Sequence, residues 1–288
     1  VDERVKRVEP LLPPRPPVLC PGCPHRASFF VIKRAVGEKT VCTTDIGCYA
    51  LGIQQPLKVG DFLICMGASV GAACGFSKAL GERVVAVVPY LAYARQDKRF
   101  LSGEAVSIRT VGKLLRAAGV DKLITIDIHS DEALKALGIE AVSLSAVPLL
   151  ARYLAEEKGL GGAFALAPDR GALERAEQAS KILGGGFGWL HKERSRITGE
   201  VRVEEKALDI SGRTVIIFDD IISTGGTIVA ATEVLKKQGA ARVYAACTHP
   251  LLVNDALKRI LASGCDGVVG TDSVPSSVSV VPVAGLLA

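Results

Sequence analysis

The chain has 288 residues, of which 49% are hydrophobic and 23% are charged, and its formal net charge is +5. This composition excludes a disordered chain, and the mild charge lacks the strong basic excess of nucleic-acid-binding proteins. The longest uncharged stretches, 62–77 and 273–288, are shorter than the roughly 20 apolar residues that a membrane span needs. The charged first residues, VDERVKRVEP, do not have the pattern of a signal peptide, so we expect a cytoplasmic protein without nucleic-acid or membrane partners.

The first part of the chain is rich in cysteine, glycine and proline. Cys20 and Cys23 form a C-x-x-C pair that is followed by His25, and these residues can bind zinc together with Cys42 or Cys48. The alternative is that the cysteines are free and inert, because disulfides are not expected in a cytoplasmic chain. We favour the inert alternative.

Regular alternation of strands and helices follows this part. Uninterrupted Val- and Ile-rich strands that alternate with helices are typical of a parallel sheet covered on both faces, so we predict an α/β fold. The predicted strands are 84–88, 122–128, 141–145, 164–167, 201–205, 214–218, 242–247 and 267–270. The predicted helices are 69–80, 106–118, a segment ending at about 157, 170–182, 226–238 and 253–262. Ligands of such sheets bind at the carboxyl ends of the strands, where we expect the functional residues.

The segment after strand 214–218 gives the strongest functional signal. Two glycines allow backbone amides to turn inward, three hydroxyls add donors, and the following helix presents its positive end to an anion. The two carboxylates suit ribose hydroxyls, either directly or through Mg²⁺. The segment therefore predicts a site for a phosphorylated sugar, and the alternative is an ordinary strand-to-helix turn. Its polar residues and glycines are Asp219, Asp220, Ser223, Thr224, Gly225, Gly226 and Thr227.

This segment resembles the phosphoribosyl-diphosphate motif of type I phosphoribosyltransferases and of ribose-phosphate pyrophosphokinases. Other strings are similar to the second family, in its archaeal form, and they occur in the expected order from about 83 to 288. They are PYLAYARQDKRF (89–100), TIDIHS (125–130), APDRGA (167–172), LHKERS (190–195), THPLL (248–252) and TDSVPS (271–276). The resemblance implies a type I phosphoribosyltransferase-like domain over 148–288 and a partial N-terminal half over 83–147.

The same resemblance implies an activity and its residues. The family transfers diphosphate from ATP to the C1 hydroxyl of ribose 5-phosphate, uses Mg²⁺, and forms homo-oligomers. The implied ATP ligands are Arg95, Gln96 and Asp97, the metal ligands His129 and Asp169, and the catalytic residues Lys192 and Arg194. The implied ribose-5-phosphate ligands are Arg194, Asp219, Asp220, Ser223, Thr224, Gly225, Gly226 and Thr227. Considered singly, His129 can instead be a capping or core histidine, and the segment 192–194 a solvated loop.

A second resemblance covers about 15–87. The strings around Cys20 and Cys23, DIGCYALG (45–52) and CMGAS (65–69) are similar to the thiamine-diphosphate region of the indolepyruvate ferredoxin oxidoreductase large subunit. The Gly-Asp motif that would follow there is replaced by Pro-Tyr-Leu (89–91), so we expect no thiamine diphosphate binding. We predict a chimeric chain whose first domain, 1–82, is an incomplete segment of that kind.

The pyrophosphokinase resemblance also lacks a part. The family's first strands and its adenine-holding Phe-x-Asp-Gly-Glu loop are not recognisable in the sequence. We therefore expect reduced activity with a defect in ATP binding, since lost binding energy remote from the reacting atoms lowers turnover as well as affinity. Three other functions stay open on the sequence alone: a phosphoribosyltransferase, a non-catalytic sugar-phosphate-binding or regulatory homologue, and a fragment of the oxidoreductase.

Overall fold

The computed structural model describes residues 19, 24–36, 40–81, 83–99, 103–194, 201–204 and 208–287. Side chains at 24, 27, 28, 31, 35, 36, 191–194 and 201–204 are outside this description. Cys20 and Cys23 lie outside the described residues, so the zinc prediction stays a prediction. The chain divides into two units between Phe76 and Ser77. None of the described helices is both long enough and apolar enough to cross a membrane.

The first unit has a small core among its described residues. The buried members of this core are Leu19, Phe29 and Val59. Two short strands pair in parallel, and the carboxylate of Asp45 accepts hydrogen bonds from the amide and hydroxyl of Ser69, both at 2.8 Å, at the start of a helix. The elements are α1 (Pro24–Val36), β1 (Thr43–Thr44), a 3₁₀ helix (Cys48–Ile53), β2 (Phe62–Leu63) and α2 (Ser69–Leu80), which spans the division between the units.

The second unit contains two parallel sheets and an antiparallel strand pair. Its strands are β3 (Val85–Val87), β4 (Lys122–Ile126), β5 (Glu140–Leu144), β6 (Phe164–Ala167), β7 (Phe187–Trp189), β8 (His191–Arg194), β9 (Val201–Glu204), β10 (Thr214–Ile222), β11 (Arg242–Pro250), β12 (Gly267–Thr271) and β13 (Ser279–Val281). Its helices are α3 (Ser107–Ala117), α4 (Asp131–Ala136), α5 (Val147–Glu156), α6 (Leu173–Leu183), α7 (Gly226–Lys237) and α8 (Ala256–Ala262). The predicted α/β class is confirmed.

The larger sheet has the order β13-β12-β11-β10-β6-β7, and all of its pairs are parallel. Alternate residues of β10 face opposite sides: Ile216 and Phe218 pack with α5 and α6, whereas Val215 and Ile217 pack with α7 and α8. Both faces are therefore buried, which explains why the sequence of this strand is an uninterrupted apolar run.

The smaller sheet has the order β3-β4-β5, also parallel. Leu123 on its covered face is fully buried against α3 and α4. On the opposite face Val85, Val87 and Val142 are 50%, 44% and 38% exposed. Ile126, at the carboxyl end of β4 on this second face, is fully buried with Ala146 and Val283. This face is therefore covered at the carboxyl ends of the strands and open nearer their start.

Several element boundaries differ from the predictions. Strand β10 continues to Ile222, so Asp219 and Asp220 lie within the strand rather than in the loop after it. The helix predicted over 253–262 begins at Ala256, because Asn254 and Asp255 adopt positive φ angles of 53° and 54°. The helix predicted over 170–182 begins with a 3₁₀ turn, Arg170–Ala172, before α6. Residues 191–194 form β8, which pairs antiparallel with β9. The sequence did not predict α1, α4, β7 or β13.

Candidate active site

The candidate site lies where the strand order of the larger sheet reverses. From β6 the chain moves outward to β7 on one side, and it then returns to β10 on the other side of β6. Ligands of open α/β sheets bind in the crevice that such a reversal leaves at the carboxyl ends of the strands. Asp169 follows β6, and Asp219 and Asp220 lie near the end of β10. All three predicted acidic residues therefore flank this crevice.

An imidazole from the smaller sheet reaches a carboxylate of the larger sheet at this point. His129 follows β4, and its Nδ1 lies 2.7 Å from Oδ2 of Asp220. Asp220 is only 3% exposed, whereas the His129 side chain is 36% exposed, so the imidazole remains accessible to a ligand. The pair joins two residues that are 91 positions apart in the sequence.

Arg175 on α6 completes this cluster, and it was not among the residues predicted from the sequence. Its Nη2 lies 3.7 Å from Oδ2 of Asp220 and donates a 3.5 Å hydrogen bond to the carbonyl of His129. An arginine in a helix is usually interpreted as a solvated surface residue, and only its place six residues after Asp169 was a usable signal. The site therefore contains a fixed positive charge between its acidic residues.

The two adjacent aspartates of β10 differ in the direction of their pKa shifts. Burial by itself would raise the pKa of Asp220, but the hydrogen bond with His129 and the positive charge of Arg175 lower it below its usual value. Burial and the neighbouring negative charge of Asp220 raise the pKa of Asp219 well above its usual value. One strand thus presents an ionised carboxylate beside one that accepts a proton readily, which is a common consequence of two close acids.

The turn that carries His129 also contacts a predicted ATP residue. Ser130 caps α4 by accepting a 3.0 Å hydrogen bond from the amide of Ala133, and it donates to Oδ2 of Asp97 at 2.6 Å. Gln96 accepts a hydrogen bond from the hydroxyl of Ser107 through Oε1, and Arg95 is exposed. Asp97 is therefore anchored at the edge of the His129 turn, which places the predicted ATP segment beside the predicted metal ligand.

The loop after β10 exposes backbone donors at the start of a 12-residue helix, α7. Among the described residues, none accepts a hydrogen bond from the amides of Thr224, Gly225 and Gly226. The carbonyl groups of the loop have partners on neighbouring segments. The carbonyls of Ile222 and Ser223 accept hydrogen bonds from the amides of Leu252 (3.0 Å) and Val253 (3.1 Å). Those of Thr224 and Gly225 accept from Nη2 of Arg259 (2.6 Å) and the amide of Val229 (3.0 Å). Free amides and a helix N-terminus form the arrangement that binds a phosphate.

The two glycines of the loop have different roles. Gly225 has a φ of 77°, and a Cβ there would lie 2.9 Å from Cδ1 of Ile260 on α8. Gly225 is therefore required for the turn and for packing against α8. Apart from its chain neighbours and the backbone of its own helix, a Cβ at Gly226 would meet no atom of the described residues within 4 Å. Gly226 is thus the position where the backbone is open to a ligand.

The donor chemistry of the site fits Mg²⁺ shared with a substrate. Within the described part of the chain, no three His, Cys, Asp or Glu side chains form a group that could hold a metal ion by themselves. Mg²⁺ keeps several waters and is usually bound by one or two carboxylates together with substrate phosphates, so a full protein cage is not required. Asp169 contributes to the raised pKa of Asp219, and its Oδ1 accepts a 2.9 Å hydrogen bond from the amide of Gly171.

The structure brings most of the predicted site residues to this crevice. His129, Asp169, Asp219, Asp220 and the 223–227 loop surround it, and Asp97 contacts the His129 turn. Lys192 and Arg194 lie on β8, but their side chains are outside the described residues, so their catalytic roles stay predictions.

Comparisons with known proteins identify the family. A family model described as the N-terminal domain of ribose phosphate pyrophosphokinase matches residues 68–119, and one described as the phosphoribosyl synthetase-associated domain matches 204–286. The ribose-phosphate pyrophosphokinase of Methanopyrus kandleri is 45% identical over 204 residues, which cover 70% of this chain and 69% of that protein. The Pyrococcus furiosus enzyme is 36% identical over 251 residues, 86% of each chain.

A solved structure shows the same relationship. The phosphoribosylpyrophosphate synthetase of Mycobacterium smegmatis is 27% identical, with a TM-score of 0.67, and the match covers 91% of this chain and 93% of that one. Most of residues 1–82 therefore lie within this match, and the family likeness begins before residue 83, where the sequence motifs had placed its start. The oxidoreductase resemblance of 15–87 stays a prediction. The chain belongs to the ribose-phosphate pyrophosphokinase family.

Proposed function

We propose that the chain transfers diphosphate from ATP to the C1 hydroxyl of ribose 5-phosphate, giving 5-phosphoribosyl 1-diphosphate and AMP. The observation that carries the proposal is the contact between His129 and Asp220 at 2.7 Å. This contact joins the turn after β4 of the smaller sheet to β10 of the larger sheet, and β10 leads into the phosphate loop. A site for two substrates needs such a junction, whereas binding a sugar phosphate alone needs only the loop.

The sugar phosphate would occupy the β10–α7 loop. Its phosphate would accept hydrogen bonds from the amides of Thr224, Gly225 and Gly226 and from the hydroxyls of Ser223 and Thr227, at the positive end of α7. Asp219 and Asp220 precede this loop on β10, where their carboxylates would face the ribose hydroxyls. The loop fixes the phosphate end, so the C1 hydroxyl would point back toward His129.

The nucleotide would bind on the side of the smaller sheet. Arg95 and Gln96 would contact its phosphates, and Asp97 would hold the Ser130 turn in place through their 2.6 Å hydrogen bond. His129 and Asp169 would hold Mg²⁺ together with the diphosphate of ATP. When bound, Mg²⁺ would neutralise charge on that diphosphate.

The transfer forms a bond between the C1 oxygen and the β-phosphorus and breaks the bond from that phosphorus to the α–β bridging oxygen, which leaves with AMP. The proton of the C1 hydroxyl is released to the solvent. Negative charge then develops on the transferred group and on the leaving oxygen, and positioned cations stabilise it. Arg175 supplies one fixed positive charge near Asp220, and Lys192 and Arg194 would supply two more from β8. We also propose that the chain is a homo-oligomer and acts in the cytoplasm.

The test is AMP formation by the full chain from ATP, ribose 5-phosphate and Mg²⁺. We expect AMP to accumulate only when both substrates are present, and His129→Ala to abolish most of the activity. As a control, the reaction with adenine and 5-phosphoribosyl 1-diphosphate should release no pyrophosphate. Pyrophosphate release without AMP formation from ATP would favour the phosphoribosyltransferase alternative, and ribose-5-phosphate binding without any turnover would favour the non-catalytic one.

A further inference from the structure

A buried hydrogen-bond cluster lies beneath the turn that carries His129. Asp127 is the first residue after β4, it is 8% exposed, and its Oδ2 accepts hydrogen bonds from the amide of Ala146 at 2.8 Å and the hydroxyl of Thr248 at 2.6 Å. Thr248 lies on β11 of the larger sheet and is 1% exposed. One carboxylate oxygen at the end of β4 therefore accepts hydrogen bonds from both the start of α5 and the larger sheet.

The backbone around Asp127 is held from several sides. The φ angle of Asp127 is 38°, a left-handed conformation that costs free energy for any residue with a Cβ, although aspartate adopts it more readily than most. Its amide donates to the carbonyl of Leu144 at 2.7 Å, and the next amide, of Ile128, donates to the hydroxyl of Ser143 at 2.9 Å. The strained turn therefore depends on its hydrogen-bond partners for its shape.

A second contact from β11 supports the same turn. Nε2 of His249 lies 2.9 Å from the carbonyl of Ile126, and Nδ1 of His249 lies 2.8 Å from the hydroxyl of Ser273. Adjacent residues of β11, Thr248 and His249, thus contact adjacent residues of the smaller sheet, Asp127 and Ile126. The larger sheet fixes the end of β4 directly below the site.

We propose that Asp127 and Thr248 are positioning residues for the nucleotide side of the site. Their hydrogen bond sets the left-handed turn that places His129 against Asp220, and so sets where the imidazole meets Mg·ATP. In this proposal Asp127 does not contact the metal or the nucleotide itself, because its Oδ2 already accepts two hydrogen bonds and its side chain is buried. The proposal rests on the proposed function, in which His129 contacts the metal–nucleotide complex.

Thr248 offers a selective test, because its backbone has supports of its own. The hydroxyls of Thr271 and Ser273 donate to the carbonyl of Thr248 at 2.6 Å and 2.7 Å. Thr248→Val therefore removes the donor to Asp127 while the strand and the side-chain volume stay almost unchanged. Thr248→Ser keeps a hydroxyl and serves as the rescue variant. Thr232→Val on α7 is the matched control, since Thr232 is also a buried threonine, 0% exposed, and comes five residues after the phosphate loop ends at Thr227.

The experiment measures binding by calorimetry on the full chain, with Mg·ATP in the absence of sugar and with ribose 5-phosphate separately. We expect Thr248→Val to weaken Mg·ATP binding about tenfold, as loss of an outer support to a ligand-holding residue typically does. Ribose-5-phosphate affinity should stay within about twofold of the parent, because the β10–α7 loop has its own anchors. Thr248→Ser should restore Mg·ATP binding, and Thr232→Val should leave both affinities unchanged.

Two results would overturn the positioning role. Mg·ATP binding by Thr248→Val that equals that of Thr232→Val would show that the bond does not position His129. Equal weakening of both ligands would show general damage to the fold instead. A parent chain that binds Mg·ATP but forms no AMP would refute the proposed function alone, and the comparison of variants by binding would still decide the role of Thr248.

Discussion

The two parallel sheets of the second unit differ in how completely they are covered and in how they hold their part of the site. In the larger sheet, Val215, Ile216 and Ile217 have 0% exposure, because helices pack on both faces. In the smaller sheet, Val85 and Val87 are half exposed, because helices α3 and α4 cover the other face and the face of these valines is buried only at Ile126. The larger sheet therefore has the greater share of the apolar burial that stabilises this unit.

This difference extends to the functional loops. The β10–α7 loop is held by hydrogen bonds from the neighbouring β11–α8 loop and from residues of α7 and α8. The His129 turn is held by its own neighbours and also by residues of the other sheet, Asp220, Thr248 and His249. A sugar-phosphate site can thus form within one sheet, whereas the nucleotide side depends on the junction between the two.

The largest effect is expected at the junction itself. Asp220→Asn removes the charge that His129 and Arg175 share while it keeps the shape of the side chain. We expect the rate of AMP formation to fall about a hundredfold, the upper range for loss of an outer ligand partner. The rate is measured at saturating substrates, beside Asp266→Asn, an aspartate that pairs with Lys236 at 2.9 Å elsewhere. A loss below fivefold relative to that control would show that the junction is not required for turnover.

The same substitution in the two sheets should have unequal consequences for stability. Val215→Ala leaves a cavity in a fully buried layer, and we expect it to lower the free energy of unfolding by about 2–3 kcal/mol. Val87→Ala, at a half-exposed position, should change it by about 0.5 kcal/mol or less. Unfolding in urea can be followed by the fluorescence of Trp189, the single tryptophan, on β7. Equal losses for the two variants would mean that the exposed valine face is covered in solution.

The next effect separates the two substrates. Gly226→Val places a side chain in the space that is open at the start of α7, so ribose-5-phosphate affinity should fall at least about tenfold, as expected for loss of backbone contacts to a charged group. Mg·ATP affinity and stability should change little, because no atom of the chain is displaced. Gly161→Val is the control, since a Cβ there also meets nothing within 4 Å. Unchanged ribose-5-phosphate binding by Gly226→Val would place the phosphate elsewhere. Gly225 is unsuitable for this test, because a Cβ there displaces Ile260.

Local patterns were sufficient to predict most of the larger sheet and its phosphate loop. The apolar run of β10, the hydroxyl- and glycine-rich loop and the amphipathic α7 are consecutive, so their order alone indicates a strand, a turn and a helix. The sequence did not indicate that β10 includes Asp219 and Asp220. Two carboxylates are unfavourable in a buried strand, and Asp220 is tolerated because its partners His129 and Arg175 come from distant parts of the chain.

The missed elements are short or depend on distant contacts. Helix α4 has six residues, too few for a periodic pattern, although Ser130 followed by Asp131 and Glu132 was a usable capping signal. Strand β7 has three residues, and its Gly188 packs closely against Phe164. The roles of Asp127 and His249 depend on partners 121 and 123 residues away, which no local pattern contains.

The smallest effect concerns the pH dependence of the junction. Burial lowers the pKa of His249 below its usual value of 6.5, although its hydrogen bond with the carbonyl of Ile126 partly opposes this. The native state therefore holds a neutral imidazole beside Tyr90, with the ring centroids 4.9 Å apart. As the pH falls below 6.5, His249 is protonated in the unfolded chain before it is protonated in the folded chain. The contribution of the neutral His249 to stability is therefore lost progressively as the pH falls from 6.5 to the lower pKa of the folded chain.

We expect the free energy of unfolding of the parent to decrease more between pH 7 and pH 5 than that of His249→Gln, whose side chain does not titrate. The difference is read from urea unfolding of both proteins, followed by Trp189 fluorescence, at each pH. Parallel pH profiles would show that His249 is protonated equally in the folded and unfolded chains, and a steeper profile for His249→Gln would contradict a lowered pKa of His249 in the folded chain.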